Sequence, residues 1–539
     1  MDQMKTDDKE IRQDASVNPQ PDSVQDASAD EYIKAEEAFE KEEPQQQKEE
    51  QAENEKKYGK SIALPVAEHG GQGLVLGGGG AKGCYHVGAL AAFAQMKKRF
   101  DAVSGTSIGA LVGFFYVQEN LEGLTEFVMS MKPTHIAREL PSLPTNFKET
   151  VVGARTVLEF VTKYAEEKMD ITPLRQRFAS MCSYDQFMSS PVGYACMTFN
   201  DTTHQGQTFY KKDFTKELCE DIVMASAACY PAFPKVTMNG EVFMDGGYAD
   251  NVPVSLMDAM LPEPDGVTVI DIHDPSEPVL PSLKPGMTYL QPLLHPGNSL
   301  DFTRTHALQL YRQGYLEMMK YYDQMPGYLY TFTDRNWQEI QVVEHYLTDQ
   351  MEQNKVVLPS SDTISDDIIA AMLGYTPRAL ENGYSRNYEY GKLVEGLALL
   401  AKMDPYVLYE YPDFLRQLKV KLNELKLTAT DDRDYKAVEV LSNLKREQLA
   451  ILLHRYLIRN NGVFPSYIEA VKDRMSVSYA LALTWYYMEL LIDNLPAADS
   501  GKPESLPAAQ KPEEDADAPE ELEVPLPSEA GEASQVPAE

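Results

Sequence analysis

No stretch of this 539-residue sequence reaches the roughly 18–20 consecutive apolar residues that cross a bilayer. The nearest approach, Met475–Met488, is uncharged but short, and it reads as a buried core helix rather than an interfacial one. The first residues, Met1-Asp2-Gln3-Met4-Lys5, contain no apolar run and do not look like a secretory signal. Cysteine is sparse: Cys84, Cys182, Cys196, Cys219 and Cys229 are odd in number and never spaced CxxC. That argues against both a disulfide framework and a thiolate metal site. Positive charge is scarce too, with 49 Lys and Arg against 83 Asp and Glu and a formal net charge of −34. A phosphate backbone needs a basic footprint, so no nucleic acid partner is expected. Contact with a membrane surface would have to rest on apolar surface or a local basic patch. The expected location is cytoplasmic, with at most peripheral membrane contact.

The excess negative charge is concentrated at the ends. Residues 1–60 carry 18 acids and 9 bases, and residues 494–539 carry 12 acids and 2 bases. The tails therefore hold 19 of the 34 excess charges, leaving an ordinary balance between them. Both ends are poor in large apolar groups and are expected to be disordered, apart from a transient helix around Glu31–Glu43. The expected organisation is a disordered acidic region at 1–69, an α/β domain at 70–298, a helical region at 299–495 and a Pro/Glu-rich tail at 496–539. In the α/β part, short β-like runs (Gly73–Leu76, Ala102–Ser104, Gly193–Phe199, Val267–Ile272) alternate with helical patterns. In the helical part, apolar residues recur at steps of three and four, as at Leu415, Leu418, Leu422 and Leu425. Helices are expected over Leu300–Tyr322, Asp366–Met372, Lys392–Ala401, Tyr411–Leu425, Tyr435–Ile458 and Tyr467–Ile492.

Three glycine-rich motifs carry the chemistry. The first, Gly77-Gly78-Gly79-Gly80-Ala81-Lys82-Gly83, lies between a strand and a helix beginning near Cys84. N–H groups of such a loop at a helix start make a site for negative charge. Gly78-x-Gly80-x-x-Gly83 also fits a dinucleotide fingerprint, with Asp101 about twenty residues on. Asp101 precedes its strand rather than ending it, however, and that strand runs into a different loop. The second motif, Gly105-Thr106-Ser107-Ile108-Gly109, sits between the strand at Ala102–Ser104 and an apolar helix, Ala110–Val117. That is the pattern of a nucleophile elbow, with Ser107 exposed at a helix start. The third, Met244-Asp245-Gly246-Gly247, follows a strand-like run at Glu241–Met244. Alone it marks a turn, but a serine nucleophile needs a proton acceptor and a carboxylate can serve.

In this order, Gly78-Gly79-Gly80-Ala81-Lys82-Gly83, Gly105-Thr106-Ser107-Ile108-Gly109 and Asp245-Gly246-Gly247 resemble the signature of the patatin-like phospholipases. Two further stretches are similar to that family: Ala225-Ser226-Ala227-Ala228-Cys229-Tyr230-Pro231-Ala232-Phe233-Pro234 and Asp250-Asn251-Val252-Pro253-Val254. The departures are Lys82, where arginine is commoner, and Tyr230, where a proline is usual. The likeness covers roughly residues 70–275. It implies a three-layer α/β/α domain with a mainly parallel central sheet. It also implies a lipid acyl hydrolase with a Ser107–Asp245 dyad and an oxyanion hole formed by backbone N–H groups of Gly78, Gly79 and Gly80. Lys82, Gly83, Gly105, Gly109, Gly246 and Gly247 would support these groups, and no cofactor or metal is required. The partners implied are a phospholipid or other acyl-lipid substrate and a membrane surface, with an activator or a second copy able to use the helical region. The rival expectation is a catalytically weak lipid-binding or regulatory protein on the same fold.

A triad would need a histidine as well. Of nine in the chain, His273 alone lies near a strand end after the third motif, and it reads as an ordinary strand-end residue. His86, on the helix after the first loop, is expected to pack or cap. Met131–Lys168, with Pro133, Pro141 and Pro144, reads equally as a cover for the site or as a connecting insertion. Cys84 and Cys229 are expected to pack rather than react.

Overall fold

The computed structural model describes residues 70–138, 169–276, 286–353, 364–377, 388–428 and 444–492. The expected disordered tails, the transient helix at 31–43 and most of 131–168 lie outside the described residues.

The short apolar runs form an eight-stranded sheet. Its strands are β1 (Gln72–Leu76), β2 (Ala102–Thr106), β3 (Gly193–Asn200), β4 (Gln205–Tyr210), β5 (Val236–Met238), β6 (Glu241–Asp245), β7 (Gly266–Ile270) and β8 (Met287–Leu290). The order is β5-β6-β3-β2-β1-β7-β8, with β4 also paired to β3. The run from β3 through β2, β1 and β7 to β8 is parallel, while β4, β5 and β6 pair antiparallel. Strands buried on both faces read as unbroken apolar runs, which is why Leu74-Val75-Leu76 shows no polar alternation. Val75 packs with Met257 on one face, while Leu76 and Val103 lie against Gly113 of the helix Ile108–Val117 on the other.

The first two motifs sit where the parallel strands β1 and β2 give way to helices, and the third lies at the end of the antiparallel strand β6. The helices of this part are α1 (Gly83–Gln95), α2 (Ile108–Val117), α3 (Leu121–Met129), α4 (Thr172–Met181) and α5 (Cys219–Ser226). The helix α6 (Arg304–Tyr321) then lies along α1, so closely that a side chain on Gly88 would meet the Tyr311 carbonyl and one on Gly314 the Tyr85 carbonyl.

Beyond α6 the described residues are mainly helical, as expected, with α7 (Trp337–Gln353), α8 (Ile364–Leu373), α9 (Glu389–Leu400), α10 (Tyr411–Thr428), α11 (Arg446–Arg459) and α12 (Ser476–Ile492), and one short parallel strand pair, Thr331–Phe332 with Leu408–Tyr409. The stretch expected as one helix over Tyr467–Ile492 is instead a short helix (Ser466–Glu469), a 3-10 turn (Lys472–Met475) and α12. These elements share one apolar core that includes Leu397, Leu418, Leu453, Leu481 and Trp485. Leu481 and Trp485 have no exposed surface, so α12 is a core helix. Among the described residues no helix is long and apolar enough to cross a membrane.

A buried polar joint ties α6 to this helical region. Glu317 accepts from the Tyr85 hydroxyl at 2.7 Å, from Gln313 Nε2 at 2.9 Å and from the Leu293 N–H at 3.1 Å. The Lys320 ammonium donates to the Tyr328, Leu329 and Tyr330 carbonyls, and Glu395 of α9 accepts from the N–H groups of the same three residues. Burial pushes both carboxyls up and the ammonium down, each offset by the opposite charge of its neighbours. A buried charge network is tolerated only when it is so fully paired.

Candidate active site

The turn after β2 is a strained one. Ser107 has φ 56° and ψ −124°, a left-handed conformation that a side chain rarely adopts, and it caps the start of α2. Such strain persists only where the surroundings over-determine it, and it clusters at functional sites. Here the neighbours leave no room for alternatives: a side chain on Gly109 would meet the Leu76 carbonyl at 2.2 Å, and one on Gly105 would meet Gly109 at 2.5 Å. The elbow is further held by Ser226 of α5, whose hydroxyl accepts from the Ser107 N–H at 3.0 Å and donates to the Met197 carbonyl at 2.7 Å. The Thr106 hydroxyl donates to the Asp250 carbonyl at 2.8 Å.

Residues 138 positions apart in sequence meet at this turn. The Ser107 Oγ donates to Asp245 Oδ2 at 2.7 Å. Asp245 ends β6, and its other oxygen accepts from the Gly247 N–H at 2.8 Å. Gly246 packs on the Met197 backbone, too close for any side chain there. The carboxyl is 5% exposed. Burial pushes its pKa up from 3.8 to about 6, against the pull of the Ser107 and Gly247 hydrogen bonds. A carboxylate near 6 is charged at neutral pH yet basic enough to accept a proton.

The glycine loop after β1 faces Ser107, since a side chain on Gly78 would come within 3.1 Å of Ser107 Cβ. The three expected N–H donors are not equivalent. Gly78 donates its N–H to the Asn251 carbonyl at 3.0 Å, whereas among the described residues the N–H groups of Gly79 and Gly80 meet no acceptor. Gly80 has φ +58° and lies against the Ser299 carbonyl, so the loop needs glycine there. Gly83 opens α1 against Ile108, and Lys82 lines the cavity beside it.

Asn251, quoted from sequence only as part of a likeness, proves to brace the loop: its Nδ2 donates to the Gly78 carbonyl at 3.2 Å. It lies 3.0 Å from His273 Nε2, while His273 Nδ1 lies 2.6 Å from Asp271. His273 sits just past β7 and lines the cavity, but Asp245 is the one hydrogen-bond partner of Ser107 Oγ among the described residues. His86 is wholly buried in α1, and burial pulls its pKa down to about 4. The Cys84 thiol is pushed up to about 12 by the same cause, which makes it unreactive. Ser226 and Asn251 act through contacts 119 and 173 residues away in sequence, and no local pattern announces such contacts.

Ser107 and Asp245 open onto a cavity of about 430 Å³. Its walls are mostly apolar, with Leu111, Val112 and Phe115 from α2, Leu124, Phe127 and Val128 from α3, and Phe178 and Met181 from α4. Ala227, Cys229, Ala232 and Phe233 of the alanine-serine segment complete one side.

The family model for patatin-like phospholipases matches residues 74–258, which takes in all three motifs and the segment that braces them. Residues 74–258 are a patatin-like phospholipase domain. Curated relatives of this domain include the lysophospholipase NTE1 of Mycosarcoma maydis, 30% identical over 191 residues, covering 35% of this chain and 9% of that protein. The NTE1 proteins of Meyerozyma guilliermondii and Candida albicans are each 26% identical, over 185 and 186 residues, covering 34% of this chain and 12% of theirs. This chain thus spans only about a tenth of the length of the curated relatives it matches. A crystal structure of VipD from Legionella pneumophila covers 80% of this chain and 93% of its own at 13% identity, with a TM-score of 0.30.

Proposed function

We propose that this protein is a lipid acyl hydrolase that cleaves carboxylic esters of phospholipids or lysophospholipids through an acyl-enzyme on Ser107. The observation that carries this reading is the 2.7 Å hydrogen bond from the Ser107 hydroxyl to a buried carboxylate with raised pKa, at the wall of an apolar cavity. Ser107 Oγ attacks the ester carbonyl while Asp245 takes its proton. The oxyanion that forms is met by the unpartnered N–H groups of Gly79 and Gly80, with the start of α2 adding positive character. Collapse of that intermediate expels the alcohol, which leaves with the proton held by Asp245. Water then attacks the acyl-enzyme, Asp245 takes a proton from it, and the acid departs as Ser107 regains its own. The apolar walls suit a fatty acyl chain, and the curated relatives' name, lysophospholipase, agrees with a single-chain lipid as substrate. A peripheral encounter with membrane lipid would supply it.

The test is ester hydrolysis on phospholipid vesicles and on a soluble short-chain ester, comparing wild type with Ser107→Ala after both are shown to fold. Loss of both activities in the variant supports the reading. Full activity without the Ser107 hydroxyl overturns it.

A further inference from the structure

Besides Lys82 in the glycine loop, the cavity wall carries a second positive charge that the chemistry above does not use. Helix α4 carries two arginines, and they are treated oppositely. Arg175 points to acids and is doubly paired, with Glu220 and Asp221 at 2.9 Å each. Arg177, two residues on, lines the cavity between Leu174, Phe178 and Met181 of the same helix. It has no carboxylate partner among the described residues. Its guanidinium carbon lies 5.5 Å from the centre of the Phe127 ring, and Nη2 donates weakly to Ser130 Oγ at 3.3 Å. Nε is fully buried and has no acceptor among the described residues.

An arginine cannot shed its charge, and an unpaired donor buried among apolar groups costs stability. Such a group is expected to find its partner in a ligand, and the guanidinium fork fits a phosphate better than any neutral group. The surroundings agree in sign. The His135 ring lies tilted against the Phe127 ring, with centres 6.3 Å apart, and its pKa is lowered by burial and by the positive charges of Arg177 and Lys132. On a chain with a net charge of −34, Arg177 and Lys132 thus bring two positive charges to bear on one histidine beside a cavity with mostly apolar walls.

We infer that Arg177 is a phosphate-binding residue that receives the phosphodiester of a phospholipid or lysophospholipid whose acyl chain occupies the cavity. It thereby sets a preference for phospholipids over neutral glycerides. The inference rests on the proposed ester hydrolase activity for its catalytic consequence, but not for binding.

Two measurements on the full chain keep these apart. The first compares kcat/KM for 1-oleoyl-lysophosphatidylcholine and 1-oleoylglycerol in the same detergent micelles, in wild type, Arg177→Met and Arg177→Lys. The methionine keeps the stem packing and removes the charge, whereas the lysine keeps the charge and loses the fork. The expected result is a fall of roughly 10- to 100-fold for the phospholipid alone in Arg177→Met, with part of it restored in Arg177→Lys. The second measures binding of the ether analogues 1-O-hexadecyl-lysophosphatidylcholine and 1-O-hexadecylglycerol, which carry no cleavable ester. Only the phosphate-bearing ether is expected to weaken in Arg177→Met. Equal losses for both lipids would make Arg177 a packing residue and overturn the inference. An unchanged preference with relief of inhibition by free oleate would also overturn it, assigning Arg177 to the product carboxylate. If no ester is cleaved yet phosphate binding depends on Arg177, the inference stands and the hydrolase reading falls.

Discussion

Replacing Asp245 by asparagine should make the protein more stable and inactive at once. The wild-type carboxyl is 5% exposed, and its pKa is raised from 3.8 to about 6 by burial. That difference corresponds to about 3 kcal/mol held against the charged form at neutral pH. The folded state binds the proton more tightly than the unfolded chain, so the penalty is absent below about pH 4. It grows as pH rises through the interval to about 6, and is complete above that. Asp245→Asn removes it while keeping an oxygen to accept from Gly247, as Oδ1 does at 2.8 Å. The variant should therefore match wild type in thermal unfolding near pH 4 and melt several degrees higher at pH 7.5. Its kcat should fall by on the order of 10³–10⁴, because an amide cannot take the Ser107 proton. Melting curves at several pH values, paired with ester hydrolysis, read both effects. A variant that is destabilised equally at both ends of the pH range would refute the burial argument. One that keeps its activity would refute the role of base.

The remaining expectations are simpler. Wild-type kcat/KM should rise with pH through about 6 to a plateau, as Asp245 loses its proton; a flat profile between pH 5 and 7 would exclude it as the base. Gly80→Ala, placed at φ +58° against the Ser299 carbonyl, should displace the loop and cost on the order of 10²–10³ in kcat, with KM for a soluble ester little changed. Ser226→Ala strips the Ser107 N–H of its acceptor and should cost roughly 1–3 kcal/mol in denaturant unfolding together with a loss of kcat. Lys320→Met leaves Glu317 and Glu395 buried without their cation and should cost about 3–5 kcal/mol, visible as a lowered denaturation midpoint with the Ser107–Asp245 geometry untouched.

The site and its fold class are legible in the sequence because glycine constrains both. A turn that brings a serine onto a helix start excludes side chains at fixed offsets, and Gly105 and Gly109 record that exclusion within five residues. Parallel strands buried on both faces leave short apolar runs, and these gave β1, β2, β3 and β7 to within a few residues. The strand β8 hides between prolines at the point where the composition changes, so its four residues carry no pattern of their own. Helix α7 is rich in Glu and Gln and is not among the helices expected from sequence. Its buried residues Ile340, Val343, Leu347 and Met351 nevertheless keep the three- and four-residue spacing that could have found it. The engagement of the Gly78 N–H with Asn251, the brace from Ser226 and the placing of Arg177 in the cavity wall beside Phe127 are long-range facts. They depend on which segments the sheet order brings together.

That sheet order separates the unit of homology from the unit of folding. The family match stops at residue 258, yet β1, which carries the glycine loop, has β7 as its parallel neighbour from Gln72↔Gly266 to Leu76↔Ile270. Excised at the family border, β1 would become an edge, with a row of bare N–H and C=O groups and one flank of the loop stripped of its Ile270 contact. The helix α1 would likewise lose α6, the partner for which Gly88 leaves room. Grafting this domain into another protein therefore means carrying the chain at least through residue 321, well past the end of the family match.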